Sequence, residues 1–310
     1  MRKKISVVTP CYNEEGNANA IYTAVKSIMD AKPEYDYEHI FIDNHSTDKT
    51  VAILKDIAAK DKNVKLIVNS RNFGHIRSPY YGLLQSSGDA TIMIVSDLQD
   101  PPALINDFID NWEQGHKIVI GVKNESEESF LMFAIRKSFY NLINRLSDIK
   151  LIKNYTGFGL YDKQIIDILR TIDDPYPYFR GLICDIGFEI IQIPYVQPQR
   201  FRGVTKNNFY TLYDIAMLGI TNHSKVPLRL ATMVGFMASL LSLLVALIYF
   251  VYKLLFWNSF TLGSAPLIIG IFLFSAVQLM FIGIIGEYVG SIHTQVLKRP
   301  LVIEQERINF

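Results

Sequence analysis

Apolar and polar positions divide the chain into two regimes. Over the first 225 or so residues, short β-branched runs alternate with stretches whose apolar positions recur at helical spacing. Ile5-Ser-Val-Val, His39-Ile-Phe-Ile, Val64-Lys-Leu-Ile-Val, Thr91-Ile-Met-Ile-Val and Lys117-Ile-Val-Ile are bounded by turn residues and predict strands. Helical patterns lie between them near 17–30, 47–60, 78–87 and 101–114. Ser46 or Thr47 is the expected cap of the second, and Pro101-Pro102 opens the fourth. Strands alternating with helices predict an α/β domain with a mostly parallel sheet covered on both faces.

Beyond this region the pattern changes. Leu230 to Tyr252 and Leu267 to Gly286 each run without a charge, and a hydrocarbon core is crossed by roughly 20 apolar residues. Two transmembrane helices are therefore expected, with Tyr249, Tyr252, Phe256, Trp257 and Tyr288 at their ends. Lys225 and Arg229 precede the first run, and Lys298, Arg299 and Arg307 follow the second. By the positive-inside rule both termini and the globular domain face the cytoplasm, in a multi-pass protein of the cell's inner membrane. The expected organisation is a globular domain over 1–205, an amphipathic helix over 206–229, two spans with a short external loop over 230–290, and a tail over 291–310. The amphipathic face is Phe209, Leu212, Tyr213, Ala216, Met217 and Ile220, suited to a bilayer surface or to the sheet domain. Ala231, Gly235 and Ser239, and later Gly286 and Gly290, permit close helix contact within one chain or in a homo-oligomer.

Composition narrows the chemistry. Lys and Arg number 31 against 30 Asp and Glu, so no broad attraction to nucleic acid is expected. Cys11 and Cys184 make no disulfide framework, and no CxxC pair suggests zinc. In a parallel α/β sheet, ligands bind beyond the carboxyl ends of the strands. There the sequence places Thr9-Pro-Cys-Tyr-Asn-Glu-Glu15, Asp43-Asn-His-Ser-Thr-Asp48, Asn69-Ser-Arg-Asn-Phe-Gly-His75 and Ser96-Asp-Leu-Gln-Asp-Pro-Pro102. Neither GxGxxG nor GxxxxGK[ST] occurs, so a nucleotide diphosphate would need a cation in place of a ring of amides. Asp97 with Gln99 or Asp100 can supply oxygens to Mg²⁺ or Mn²⁺, which needs only one or two carboxylates when phosphates and water complete its shell.

Pro10-Cys-Tyr-Asn-Glu14, the Asp43–Asp48 loop and Asp97-Leu-Gln-Asp-Pro-Pro102, in this order and spacing, resemble the family 2 glycosyltransferases of GT-A type. With Arg71-Asn-Phe-Gly-His75, Gly286-Glu-Tyr-Val-Gly290 and Lys298-Arg-Pro300, the chain is similar to the polyisoprenyl-phosphate glycosyltransferase branch. That resemblance implies inverting transfer of one sugar from a nucleotide-sugar, UDP-linked by likeness to bacterial relatives, to undecaprenyl phosphate on the cytosolic face of a lipid bilayer. It implies that Pro10, Tyr12, Glu14, Asp43, Arg71 and His75 bind the nucleotide-sugar, and that Asp97 and Gln99 hold the metal. Lys123, Arg136, Arg202 and Lys206 would bind the acceptor phosphate, with Asp97, Arg136 and Arg202 serving catalysis; Arg180 and Arg200 are further candidates. Two positions depart from the family pattern: Asn44 replaces an acid, and Val95 replaces the first Asp of the usual Asp-x-Asp.

No general base is assigned. The second pKa of a phosphate monoester is about 6, so the acceptor is already anionic at neutral pH. Two other functions fit parts of the sequence. Gln197-Pro-Gln-Arg-Phe201 resembles the acceptor motif of processive polysaccharide synthases, with Phe in place of Trp. Val95 fits a nucleotide-sugar-binding partner without catalysis.

Overall fold

A computed structural model describes residues 2–123, 152–198, 217, 226–256 and 264–310. Each predicted strand is present: β1 (Lys3–Cys11), β2 (Tyr35–Asp43), β3 (Val64–Asn69), β4 (Ala90–Met93) and β5 (Ile118–Lys123). The helices α1 (Ala18–Asp30), α2 (Thr50–Lys60), α3 (Gly74–Leu84) and α4 (Leu104–Glu113) lie between them. Then follow β6 (Tyr155–Asp162), α5 (Lys163–Thr171), α6 (Phe179–Asp185), β7 (Ile190–Tyr195), α7 (Val226–Leu255), α8 (Ser264–Val296) and β8 (Glu304–Ile308).

One sheet contains these strands in the order β7-β5-β6-β4-β1-β2-β3-β8. β1 runs parallel to β2 and β4, β2 to β3, and β5 to β7. β6 is antiparallel to both β4 and β5, which leaves β5 pointing the same way as β4. The carboxyl ends of β1, β2, β3, β4, β5 and β7 therefore share one edge. Residues 304–308, expected within a tail, close the far side of the sheet as a short antiparallel strand on β3.

Near-continuous apolar strands and amphipathic helices account for the layers. Ile5, Val7, Phe41 and Leu66 pack on one face against Ile21 and Val25 of α1, Leu54 of α2 and Phe108 of α4. On the other face Val8, Ile40, Ile42 and Ile67 pack with Tyr81, while Ile118, Ile120 and Tyr161 pack with Tyr80, Leu83, Ile165 and Ile183. Burial of each such side chain contributes about 1.5–3 kcal/mol. α3 approaches so closely that a Cβ at Gly82 would lie 2.8 Å from Cγ2 of Ile42.

Two sequence-based expectations need correction. The cap of α2 is neither Ser46 nor Thr47: the Ser46 hydroxyl donates to Asp43, and Asp48 accepts the N–H of Thr50 at 2.9 Å. The second concerns the two charge-free runs. They form α7 and α8, with apolar side chains such as Met237, Leu241 and Leu279 exposed along them. Crossing a hydrocarbon core takes about 20 consecutive apolar residues, and among the described residues no helix is long and apolar enough to cross a membrane. The expected pair of transmembrane helices, and with it the multi-pass inner-membrane location, is overturned on this finding. The chain divides into two compact units, one holding the sheet and residues from Thr294 onward, the other holding most of α7 and α8.

Candidate active site at the carboxyl edge of the sheet

Four loops gather at the carboxyl edge, and those after β1, β2 and β3 are joined by side-chain hydrogen bonds. After β1, Asn13 adopts φ 55°, a left-handed conformation that asparagine tolerates. Its N–H donates to Ser46 Oγ at 2.8 Å, and its Oδ1 accepts the Thr47 N–H at 2.8 Å. The Glu14 N–H donates to Thr50 Oγ1 at 2.8 Å, while its carboxylate accepts from Asn17 Nδ2 at 2.7 Å. Pro10 and Tyr12 flank buried Cys11 and are themselves half-buried. The Pro10–Glu14 motif is thus held against the loop after β2.

Asp43 ends β2 and is completely buried. Burial pushes its pKa up, and the Ser46 hydroxyl and N–H, the latter at 2.9 Å, counter that by bonding the carboxylate. The next residue, Asn44, connects to the β3 loop: its Oδ1 accepts the Phe73 N–H at 2.9 Å, and its Nδ2 donates to Asn72 Oδ1 at 2.9 Å. Arg71 and His75 are carried on that segment and are exposed. The Arg71 guanidinium carbon lies 4.1 Å from the centre of the Phe73 ring.

After β4, Asp97 and Gln99 are half-buried, and the Gln99 N–H donates to Asp97 Oδ1 at 3.1 Å. Leu98 between them has φ 59°, unusual for a branched aliphatic residue and of the kind that collects at functional loops. Asp100 is buried, accepts the Tyr195 hydroxyl, and has its pKa raised by desolvation. Lys123, at the end of β5, exerts its charge on Asp100 and so is brought beside this loop. Arg180 instead donates to the Tyr155 carbonyl at 3.3 Å. Arg136, Arg200, Arg202 and Lys206 lie outside the described residues.

Among the described residues no three His, Cys, Asp or Glu side chains cluster to hold a metal. Asp97 offers one carboxylate and Val95 none. That donor set fits a hard divalent cation only when phosphates and water supply most of its oxygens. An open depression lined by Lys117, Asp162 and Asp167 sits at the opposite, amino-end edge, where Asp162 is already bonded to Trp112 and Lys117.

Sequence reasoning missed Asn44 as a junction and Tyr195 as the partner of Asp100. Tyr195 had a signal: it ends a strand parallel to β5, so it belongs on the same edge.

Comparison with known proteins gives this edge a context. Residues 6–169, just over half of the chain, match glycosyl transferase family 2. A glycosyltransferase of Bacillus subtilis, YkcC, is 35% identical over 97% of this chain and 93% of its own length. The SfII prophage-derived bactoprenol glucosyl transferase of Shigella flexneri is 32% identical over 97% of each chain. Among solved structures, glucosyl-3-phosphoglycerate synthase of Mycobacterium tuberculosis superposes with a TM-score of 0.52 at 20% identity, covering 71% of this chain and 76% of that one. That likeness establishes the GT-A type of sheet found here. The chain belongs to glycosyl transferase family 2 and is a glycosyltransferase.

Proposed function

We propose that this enzyme transfers one sugar, with inversion, from a UDP-sugar to a polyprenyl phosphate. The observation that carries the reading is the gathering of four polar loops at one sheet edge, three of them joined through Asn13, Ser46 and Asn44, with the Asp97 loop at the same edge after β4. The near full-length likeness to bactoprenol glucosyl transferases supports the acceptor class.

In this reading Pro10, Tyr12, Glu14 and Asp43 hold the base and ribose, with Arg71 and His75 nearby. Asp97 and Gln99 are the residues to hold Mg²⁺ or Mn²⁺, which when bound neutralises charge on the departing diphosphate. A phosphate oxygen of the acceptor attacks the anomeric carbon as the bond to the UDP oxygen breaks. That oxygen needs no proton removed at neutral pH, because the second pKa of a phosphate monoester is about 6. Lys123, Arg136, Arg202 and Lys206 would hold the acceptor phosphate and offset charge, as guanidinium and ammonium groups do.

The test uses purified chain, undecaprenyl phosphate and a panel of UDP- and GDP-sugars, with Mn²⁺, Mg²⁺ or EDTA, and products read by mass. A lipid phosphate carrying one sugar, formed from a UDP donor and lost in EDTA, is the expected result. Polymeric product, or nucleotide-sugar binding without turnover, would overturn it.

A further inference from the structure

Three arginines gather where the β3 loop, the first turn of α3 and the segment after α8 meet. The guanidinium carbons of Arg71 and Arg77 lie 4.1 Å and 5.3 Å from the centre of the same Phe73 ring. An Arg77 amino group donates to the carbonyl of Pro300, which sets Arg299 beside it. Nε of Arg77 is buried with no hydrogen-bond partner. Burial and then the charge of Arg71 lower the Arg77 pKa, with Arg299 acting in the same sense.

Among the described residues none of these three arginines has a carboxylate partner. Their basic neighbours do: Lys298 pairs with Asp173 at 2.8 Å, and Arg307 with Glu304. Like charges held close raise the potential around them, and that potential is relieved by an anion from solution. Guanidinium groups suit phosphate because their paired N–H donors match its oxygens.

The mounting is firm. Asn44 fixes the Phe73 N–H, and the Ser70 N–H donates to the Ile303 carbonyl at 2.9 Å, so the C-terminal segment and the β3 loop are joined within one unit.

We infer that Arg71, Arg77 and Arg299 form a binding site for a phosphoryl group of one of the two substrates, separate from the Asp97 loop. Arg71 is shared with the donor residues named above, whereas Arg77 and Arg299 are new. The inference rests on the reading of the chain as a sugar-to-phosphate transferase. Its chemistry is common to the donor diphosphate and the acceptor monophosphate.

The experiment is calorimetric titration of the full chain with inorganic pyrophosphate in EDTA, where no cation can bridge to Asp97. Binding to one site is expected, at least tenfold weaker in Arg77→Gln and in Arg299→Gln and unchanged in Asp97→Asn. Arg299 is exposed, so its variant keeps the test open if Arg77→Gln fails to fold. Displacement of pyrophosphate by UDP assigns the site to the donor, and displacement by a short-chain prenyl monophosphate assigns it to the acceptor. Absence of binding, wild-type affinity in either arginine variant, equal loss in Asp97→Asn, or displacement by neither compound would overturn the inference. Pyrophosphate binding needs no turnover, so failure of the site and failure of the proposed reaction are distinguishable.

Discussion

The Asn44 side chain donates to Asn72 Oδ1 at 2.9 Å, and this bond joins the loop after β2 to the loop after β3. The same amide nitrogen reaches the Gly74 carbonyl at 3.2 Å, while its oxygen accepts from Phe73 N–H and from Asn69 Nδ2. An aspartate could accept these bonds but not donate them. Position 44 is therefore occupied by a side chain that does both.

Asn44→Asp should loosen the β3 loop and set a carboxylate against two acceptors. Loss of these two part-buried hydrogen bonds costs about 1–3 kcal/mol, and displacement of donor-binding groups lowers kcat/KM by up to about a hundredfold. Thermal melts and steady-state kinetics check both. A variant with wild-type melting and turnover would show that the junction is dispensable.

Gly82→Ala tests the packing of α3 on the sheet. The added Cβ would meet Ile42 Cγ2 at 2.8 Å and Val8 Cγ1 at 3.2 Å, and both residues are β-branched and fully buried. Neither has a free rotamer to move into. Overpacking of this kind costs about 1–3 kcal/mol, so the urea midpoint should fall with the slope unchanged.

Acid should destabilise the protein in two steps. Burial brings the His39 pKa down from 6.5 to about 3. Glu38 is also buried, but bonds from Lys4, Lys65 and Ser6 outweigh desolvation and bring it from 4.5 to about 2. Both folded values are depressed, so the unfolded chain binds more protons at acid pH. The stability these groups confer is full at neutral pH. It declines as pH falls below 6.5 for His39 and below 4.5 for Glu38. Each group contributes a slope of up to about 1.4 kcal/mol per pH unit. His39→Gln should flatten the upper part of that decline, read as urea midpoints across the acid range. A slope that survives the substitution would assign it to other groups.

Much of this architecture was legible because β1 to β5 are short β-branched runs ended by turn residues. β6 was not. Tyr155-Thr-Gly-Phe-Gly159 contains two glycines and reads as a loop, yet Gly159 lies so close to Val119 that a Cβ would come within 2.6 Å of its carbonyl oxygen. β8 is a charged edge strand, Glu-Gln-Glu-Arg-Ile, whose pairing only tertiary contact reveals. At the candidate site, Asp43 and Asp97 were legible from their motifs. Asn44 was legible only as a departure, because its meaning depends on Asn72, 28 residues away. The two charge-free runs met a one-dimensional criterion of length. Helix formation and membrane crossing are separate claims, and the first alone holds among the described residues.

Arg202→Ala should raise the KM for polyprenyl phosphate while leaving the KM for the nucleotide-sugar near its original value. Loss of one charge-assisted contact to phosphate corresponds to about 1.5–3 kcal/mol, or roughly ten- to a hundredfold. Initial rates with each substrate varied in turn decide the matter. An equal rise in both constants would place Arg202 in overall architecture instead of at the acceptor.

The loop after β4 gives the sharpest test, because Asp97 is its half-buried carboxylate while Asp100 is buried against Tyr195. Asp97 is half-buried and accepts the Gln99 N–H, a bond that an isosteric asparagine oxygen also accepts, so Asp97→Asn should leave the melting temperature within about 1–2 °C, a shift below ~1 kcal/mol. Turnover should nevertheless fall by about 10³-fold, the scale of losing one group that stabilises charge in the transition state. Val95→Asp should act in the opposite sense. A second carboxylate at the usual spacing would compete better with water for Mg²⁺ or Mn²⁺, and the metal concentration giving half-maximal rate should drop about tenfold. Rates across a metal titration of both variants check this. If Val95→Asp leaves the metal dependence unchanged while Asp97→Asn is inactive, Asp97 acts on the sugar or diphosphate directly, and the cation takes its oxygens elsewhere.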